Sequence, residues 1–175
     1  SSALNQSKYD LLIENYFDKI SKKDGITSLN TAFSSEGSFI HIPKNVQVDK
    51  PIQVIYFSTG KNESVFYQPR NLIIVGENSQ VEIIERHQSL SENSVLVNSV
   101  SEIYCNVRSV VKHYKIQNDK TNASLIDNTF VSQERNSDYS LHTFSLGGEL
   151  TRNNLSILQN GESCLLYTSP SPRDV

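Results

Sequence analysis

The stretch NLIIVGENSQVEIIERHQS, residues 71–89, contains two strand-like runs separated by a turn signal. Both runs are rich in Val and Ile, which favour β-strands over helices. Gly76, Asn78 and Ser79 lie between them and are residues typical of turns. The stretch therefore predicts two short strands joined by a tight connection.

The same pattern continues from Gly37 almost to the end of the chain. No long helical pattern interrupts the runs, which argues against a doubly wound fold. The spacing fits a sandwich, a barrel or a β-solenoid, and no exact internal repeat chooses among the three. The predicted strands cover residues 38–43, 51–58, 71–76, 80–89, 94–105, 109–118, 123–134, 139–148 and 150–159.

The N-terminal part is predicted to be helical. Residues 7–23 form one amphipathic pattern, with Lys22 and Lys23 in the last turn and Gly25 as the expected stop. A second short helix is predicted over 26–33. The apolar stripe of the first helix consists of Tyr9, Leu12, Ile13, Tyr16, Phe17 and Ile20.

Residue parity in 95–107 predicts one buried face and one solvated face. Val97, Ile103 and Cys105 share the predicted buried face, whereas Glu102 and Tyr104 are expected on the solvent side. Because an apolar site raises the pKa of a thiol, Cys105 is predicted to be an inert core residue.

Composition narrows the classes of function. The formal net charge of −3 predicts no broad cationic surface for nucleic acid or membranes. Two cysteines, Cys105 and Cys164, are too few for a disulfide framework, and residues 1–10 lack the features of a secretory signal. A cytoplasmic location is the expectation.

The reactive residue types show no recognisable catalytic or metal-binding spacing. His41, His87, His113 and His142 each stand alone in a strand run and are predicted to be structural or exposed. In ERHQS, residues 85–89, neighbouring side chains point to opposite faces, so an outward polar face is favoured over an acid–base cluster. The double glycine in SLGGEL, 145–150, is predicted to be a turn rather than a phosphate loop.

Four blocks closely resemble the SufB/SufD family, and its SufD branch more than its SufB branch. They are FIHIPKNVQVDKPIQVIYFSTG at 39–60, PRNLIIVGENSQVEIIERHQSL at 69–90, HYKIQND at 113–119 and HTFSLGGELTRNNLSILQNGE at 142–162. The resemblance implies a mainly β fold, a right-handed parallel β-helix preceded by a short helical segment. It divides the chain into a helical segment at 1–36 and a partial, truncated β-helix core at 37–163.

The resemblance also implies a function in iron–sulfur cluster assembly. A SufD-like scaffold pairs with SufB through the β-helices, binds the SufC ATPase through C-terminal helices, and is implicated in iron supply. An iron–sulfur cluster or iron would lie at the SufB–SufD interface of the full-length protein. The family's Cys-Ser-His-Gly motif is absent from this sequence, so no catalytic, cofactor-binding or metal-binding residue is carried over, and no cofactor is assigned to this fragment.

The last segment, 164–175, reads CLLYTSPSPRDV and departs from the family pattern. Its reverse translation matches a transposase-type sequencing adapter, so it is interpreted as an artefact and predicted to be disordered. The chain is then a fragment, and Cys164 is discarded as a redox or metal candidate. The alternative is a Ser/Pro-rich flexible tail.

Other functions remain as alternatives. The chain could be a SufB paralogue, since both branches share the fold. Many parallel β-helices are polysaccharide-active enzymes, but these need convergent carboxylates on one face, and no such cluster is visible in the sequence. An adhesive β-solenoid would show clear repeats. The favoured hypothesis is therefore a non-catalytic scaffold.

Overall fold

The computed structural model describes residues 7–60 and 63–168, which form two helices followed by eleven strands. The helices are α1 (Ser7–Tyr16) and α2 (Gly25–Phe33). The strands are β1 (Phe39–Ile42), β2 (Ile52–Ser58), β3 (Val65–Tyr67), β4 (Arg70–Val75), β5 (Gln80–Ser89), β6 (Val95–Cys105), β7 (Val110–Gln117), β8 (Ala123–Gln133), β9 (Asp138–Ser145), β10 (Leu150–Gln159) and β11 (Leu165–Thr168).

The strands build two parallel sheets that the chain visits alternately. Sheet A has the order β1-β4-β6-β8-β10, with β3 also paired to β6, and sheet B has the order β11-β9-β7-β5-β2. Each strand pairs in parallel with the strand one coil later, so the chain forms a parallel β-solenoid of about 4 turns. The structure thus selects the solenoid from the three architectures that the strand spacing allowed.

The coils differ in length, which explains why no exact repeat is visible in the sequence. Residues in register are 33 apart between β1 and β4 but only 26 apart between β8 and β10. A weaker repeat lies at the turn from sheet A to sheet B, where one residue adopts a positive φ and a buried serine follows it. These pairs are Asn78–Ser79, Arg108–Ser109 and Asn136–Ser137.

The N-terminal helices cover the outer face of sheet A. Leu72, Ile74 and Tyr104 pack against the apolar stripe of α1, and the Tyr104 hydroxyl donates to the Tyr16 carbonyl oxygen over 2.6 Å. Asn98 donates to the Ile26 carbonyl oxygen of α2. The predicted solvated face of 95–107 is therefore wrong for Glu102 and Tyr104, because the helices bury it.

Helix α1 ends earlier than the predicted residue 23, and Glu102 supplies the physical reason. Its carboxylate accepts hydrogen bonds from the backbone N–H groups of Asp18 and Ile20, at 2.7 and 3.0 Å. Those groups would otherwise bond within the helix. Gly25 begins α2 instead of ending α1, and Asp24 caps α2 by accepting from the Thr27 N–H at 2.8 Å.

Two strands were not predicted. Strand β3 is a three-residue strand that pairs with the first residues of β6, beside the start of β4. Strand β11 lies in the segment 164–175 that was expected to be disordered, where Leu165–Thr168 pairs with β9. The rest of that segment, 169–175, lies outside the described residues.

Candidate functional site in the solenoid interior

The space between the two sheets divides into an apolar half and a polar half. The apolar half lies beside the turns from sheet A to sheet B, and the polar half lies nearer the loops that return to sheet A. A smaller apolar cluster, Val95, Val97, Ala123 and Leu125, follows those loops at the start of β6 and β8. The buried side chains of the apolar half include Ile73, Val75, Val81, Ile83, Ile103, Cys105, Val111, Val131, Tyr139 and Leu141. Those of the polar half include Asn71, Glu85, His87, Ser99, Ser101, Lys115, Gln117, Asp127 and Thr129.

The strand register places the charged groups of the polar half together. Glu85 on β5 and Lys115 on β7 are direct neighbours in sheet B. Asp127 and Thr129 lie two residues apart on β8, so both point from sheet A into the interior. The Lys115 Nζ lies 2.6 Å from Asp127 Oδ2 and 3.2 Å from Glu85 Oε2, and it donates to Thr129 Oγ1 over 2.7 Å. One ammonium group therefore ties sheet B to sheet A.

The cluster is charged despite its burial. Burial alone would lower the pKa of Lys115, but the negative charges of Asp127 and Glu85 outweigh it and raise that pKa. Burial would likewise raise the pKa of Glu85, yet the positive charge of Lys115 holds that pKa well below its usual range. Lys115 is consequently a fixed cation rather than a nucleophilic amine.

His113 lies at the border between the two halves. Its Nδ1 is 2.9 Å from the Tyr139 hydroxyl, and its Nε2 is 3.5 Å from Glu85 Oε2. Glu85, Asp127 and Lys115 together leave one negative charge uncompensated.

A second polar contact chain also joins the sheets. The Tyr56 hydroxyl donates to Asn71 Oδ1 over 2.7 Å, and the Asn71 amide donates to Ser101 Oγ over 3.1 Å. The His87 ring stacks on Tyr56 with 4.7 Å between the ring centroids. Burial lowers the pKa of His87. Neither of its ring nitrogens has a hydrogen-bond partner among the described residues.

The polar half borders a cavity of about 530 Å³ at the β9–β10 end of the solenoid. Lys115, Asp127 and Thr129 line its inner wall. Gly147 and Gly148 of the β9–β10 loop line it as well, and this loop is the turn that the sequence predicted. A side chain at Gly147 would lie 2.3 Å from the Asp119 carbonyl oxygen, so the loop requires glycine there.

The prediction that Glu85 and His87 point outward is wrong, since their side chains are 0% and 3% exposed. The two residues share the parity of Val81 and Ile83, which are also buried. This shared parity indicated that Glu85 and His87 are buried, but the prediction followed their polar character instead. No pattern in the sequence indicates that Lys115 and Asp127, twelve positions apart, lie on facing sheets.

The other candidate residues are dispersed. Cys105 is a buried core residue as predicted, and burial raises the pKa of its thiol. His41 lies half-buried on β1, and His142 on β9 stacks on Tyr114. Cys164 occupies the turn after β10, with its Sγ 3.2 Å from the Gly161 carbonyl oxygen.

The described residues contain no group of three or more His, Cys, Asp or Glu side chains arranged to hold a metal ion. Over the same residues, neither helix is long and apolar enough to cross a membrane. Within the polar cluster, the carboxylates of Glu85 and Asp127 are both engaged by the Lys115 ammonium group.

Comparison with known families matches nearly the whole chain. Residues 2–54 match the model of the SufBD protein N-terminal region, and residues 56–169 match the model "SUF system FeS cluster assembly, SufBD core domain". The boundary between the two matches falls inside β2, so β1 lies in the N-terminal match and the core match begins within the first coil of the solenoid.

Curated relatives come from both branches. A SufBD family protein of Synechocystis is 31% identical over 81% of this chain and 34% of its own length. SufD of Bacillus subtilis is 29% identical over 61% of the chain and 25% of its own length, and SufB of Plasmodium falciparum is 37% identical over 63% and 24%. The chain thus spans about a third or less of each of these relatives. By its two family matches, the chain belongs to the SufB/SufD family of iron–sulfur cluster assembly proteins.

Proposed function

We propose that this chain is part of a SufD-like scaffold subunit that assembles with SufB and the SufC ATPase in the cytoplasm. In this role it supplies no catalytic group. It contributes a rigid solenoid to the interface where an iron–sulfur cluster, the cargo of the system, is assembled. The observation that carries the proposal is the pair of family matches, laid end to end over residues 2–54 and 56–169.

The interior of the described coils supports a scaffold role. The apolar half is filled by aliphatic side chains, and the polar half is crossed by an ionic network centred on Lys115. Cys105 is fully enclosed and its pKa is raised by burial, so it suits a core position better than that of a nucleophile. A solenoid held together in both halves can present an interface at a constant geometry.

The choice of the SufD branch over SufB rests on the resemblance of the four sequence blocks at 39–60, 69–90, 113–119 and 142–162. Because relatives of both branches match the chain, the assignment needs a functional test.

The test exchanges this segment into two host proteins. Residues 7–162 replace the corresponding segment of SufD in a bacterium that lacks SufD, and of SufB in a bacterium that lacks SufB. Growth under iron limitation and copurification with SufC and the untouched partner are measured for both chimeras.

We expect the SufD chimera to restore growth and copurify with SufB and SufC, and the SufB chimera to fail. Rescue by the SufB chimera alone would assign the chain to SufB. Failure of both chimeras, at normal expression and with intact folding, would reject the scaffold role for this segment.

A further inference from the structure

The outer face of sheet B is an apolar surface that the described helices leave open. Ile55, Ile116 and Phe144 lie in one row across β2, β7 and β9, and Ile84 and Tyr114 lie in the row beside it. Ile55 is 40% exposed, Phe144 is 47% exposed, and Phe57 in the next row is 54% exposed. Parallel sheets are normally covered on both faces, so this exposure needs an explanation.

A single cation lies within this surface. Arg86 on β5 occupies the same row, between Ile55 on β2 and Ile116 on β7. Its Nε is buried without a hydrogen-bond partner, and its guanidinium forms no ion pair, among residues 7–60 and 63–168. At the edge of the face, Lys112 and Glu82 pair with each other over 3.0 Å. The surface therefore carries one positive charge without a counterion.

Sheet A contains a related arginine, Arg70, that is already covered and that also pairs with Glu102 of the neighbouring strand β6 over 2.7 Å. Arg70 lies within the apolar outer face formed by Leu72 and Ile74. The segment after α1 brings Asp18 to within 3.0 Å of the Arg70 guanidinium and places the Phe17 ring 5.1 Å from it. The covering segment thus supplies both apolar side chains and a carboxylate to an arginine embedded in the sheet surface.

We propose that the outer face of sheet B docks an amphipathic helix of a partner protein, which presents an Asp or Glu among large apolar side chains to Arg86. The carboxylate would neutralise the embedded cation, as Glu102 of β6 and Asp18 of the covering segment together do for Arg70. Outside the described ranges, residues 1–6 and 61–62 contain no Asp or Glu.

This inference does not depend on the SufD-like role. Photo-crosslinking in the cells that make the protein tests whether the outer face of sheet B docks a partner. Phe144 is replaced by the photoreactive p-benzoylphenylalanine in the full chain. The same residue at position 108, on a half-exposed turn, serves as the matched control. The cross-linked peptide is identified by mass spectrometry, and the yield is compared between wild type, Arg86→Lys and Arg86→Glu.

We expect position 144 to capture a segment of another polypeptide that carries Asp or Glu three or four residues from two large apolar side chains. Arg86→Glu should lower the yield at least tenfold, whereas Arg86→Lys should retain most of it. Replacing the captured carboxylate by Arg should restore the yield with Arg86→Glu, which a folding defect could not do.

Other occupants would overturn the proposal. A cross-link to a second copy of this chain would make the face a self-association surface, and a cross-link to lipid would make it a membrane contact. A yield no higher than at position 108, or one unaffected by Arg86→Glu, would remove the docking surface altogether.

Discussion

The apolar and polar halves of the interior lie on the same strands, yet they are held together by different forces. On β8, Val131 belongs to the apolar half and Thr129, two residues earlier, belongs to the polar half. Val131 needs only to be removed from water among other aliphatic groups, and many residues of similar size would satisfy that requirement. Thr129 needs its hydroxyl at one position, 2.7 Å from the Lys115 ammonium group.

Stability and geometric definition therefore come from separate parts of one core: the apolar half supplies most of the stability, and the polar half fixes the positions of its side chains. Burying an aliphatic side chain stabilises the fold by about 1.5–3 kcal/mol. A buried ion pair gives little net stability, because desolvation offsets most of the attraction. Removing one partner from such a pair is nevertheless severe, since it leaves an uncompensated charge. Substitutions in the polar half should therefore lower the free energy of unfolding by far more than the small net stability of its ion pairs suggests.

The largest effect is expected for Lys115→Met. The substitution keeps the volume of the side chain but leaves Glu85 and Asp127 buried without their shared cation. We expect the free energy of unfolding to fall by about 3–5 kcal/mol. Urea denaturation followed by circular dichroism measures the change.

Lys112→Met is the matched control for this substitution. Lys112 lies on the same strand and also pairs with a glutamate of β5, but the two side chains are 45% and 33% exposed. Because solvent screens an exposed pair, we expect almost no shift of the denaturation midpoint. Equal losses in the two variants would show that Lys115 contributes no more than a surface ion pair.

The strands and the apolar half could be predicted from the sequence because a local signal determines each of them. The predicted runs 80–89 and 150–159 coincide with β5 and β10. Cys105 was placed in the core because it shares parity with Val97 and Ile103, and burial follows from alternation alone.

The polar half could not be predicted, because its residues acquire their roles from contacts between coils. Glu85 meets Lys115 only through the register of β5 with β7. Glu102 was expected in solvent, and only the path of the chain after α1 brings the Asp18 and Ile20 N–H groups to it. The variable coil length, from 33 to 26 residues, hides both registers from a search for repeats.

A reciprocal exchange of valine and threonine on β8 tests the same difference between the halves, and its expected effect on stability is of intermediate size. Val131→Thr places a hydroxyl among aliphatic side chains, where an unpaired polar group destabilises by about 1–3 kcal/mol. Thr129→Val removes the hydroxyl that accepts from Lys115, and we expect a loss of about 1 kcal/mol. Thermal unfolding of the two variants and of the double variant measures both effects.

The double variant decides whether the halves are independent. The side chains at 129 and 131 contact different groups, so the two losses should add. A double variant as stable as the wild type would contradict the division, since the position of the hydroxyl along the strand would then not matter.

The most gradual effect expected is a pH dependence that arises chiefly in the polar half, because His87 is buried whereas His41, the other histidine whose pKa burial lowers, is only half-buried. Because burial lowers the pKa of His87 below its usual 6.5, this residue is neutral in the folded protein over a range where the unfolded chain binds a proton. Stability should therefore fall as the pH drops below about 6.5, by at most about 1.4 kcal/mol per pH unit for one proton. Glu85, whose pKa lies well below 4.5 in the folded state, adds a separate loss that begins only as the pH falls through about 4.5.

Denaturation at a series of pH values from 7 to 3.5 separates the two contributions. His87→Phe keeps an aromatic ring against Tyr56 and should remove most of the loss between pH 6.5 and 5, while the smaller contribution of His41 and the loss below pH 4.5 remain. His142→Phe, on the outer face of sheet B, is the matched control and should retain both losses. If His87→Phe leaves the slope between pH 6.5 and 5 unchanged, the acid sensitivity does not come from the buried imidazole. Protonation of His87 would then cost no more free energy in the folded protein than in the unfolded chain.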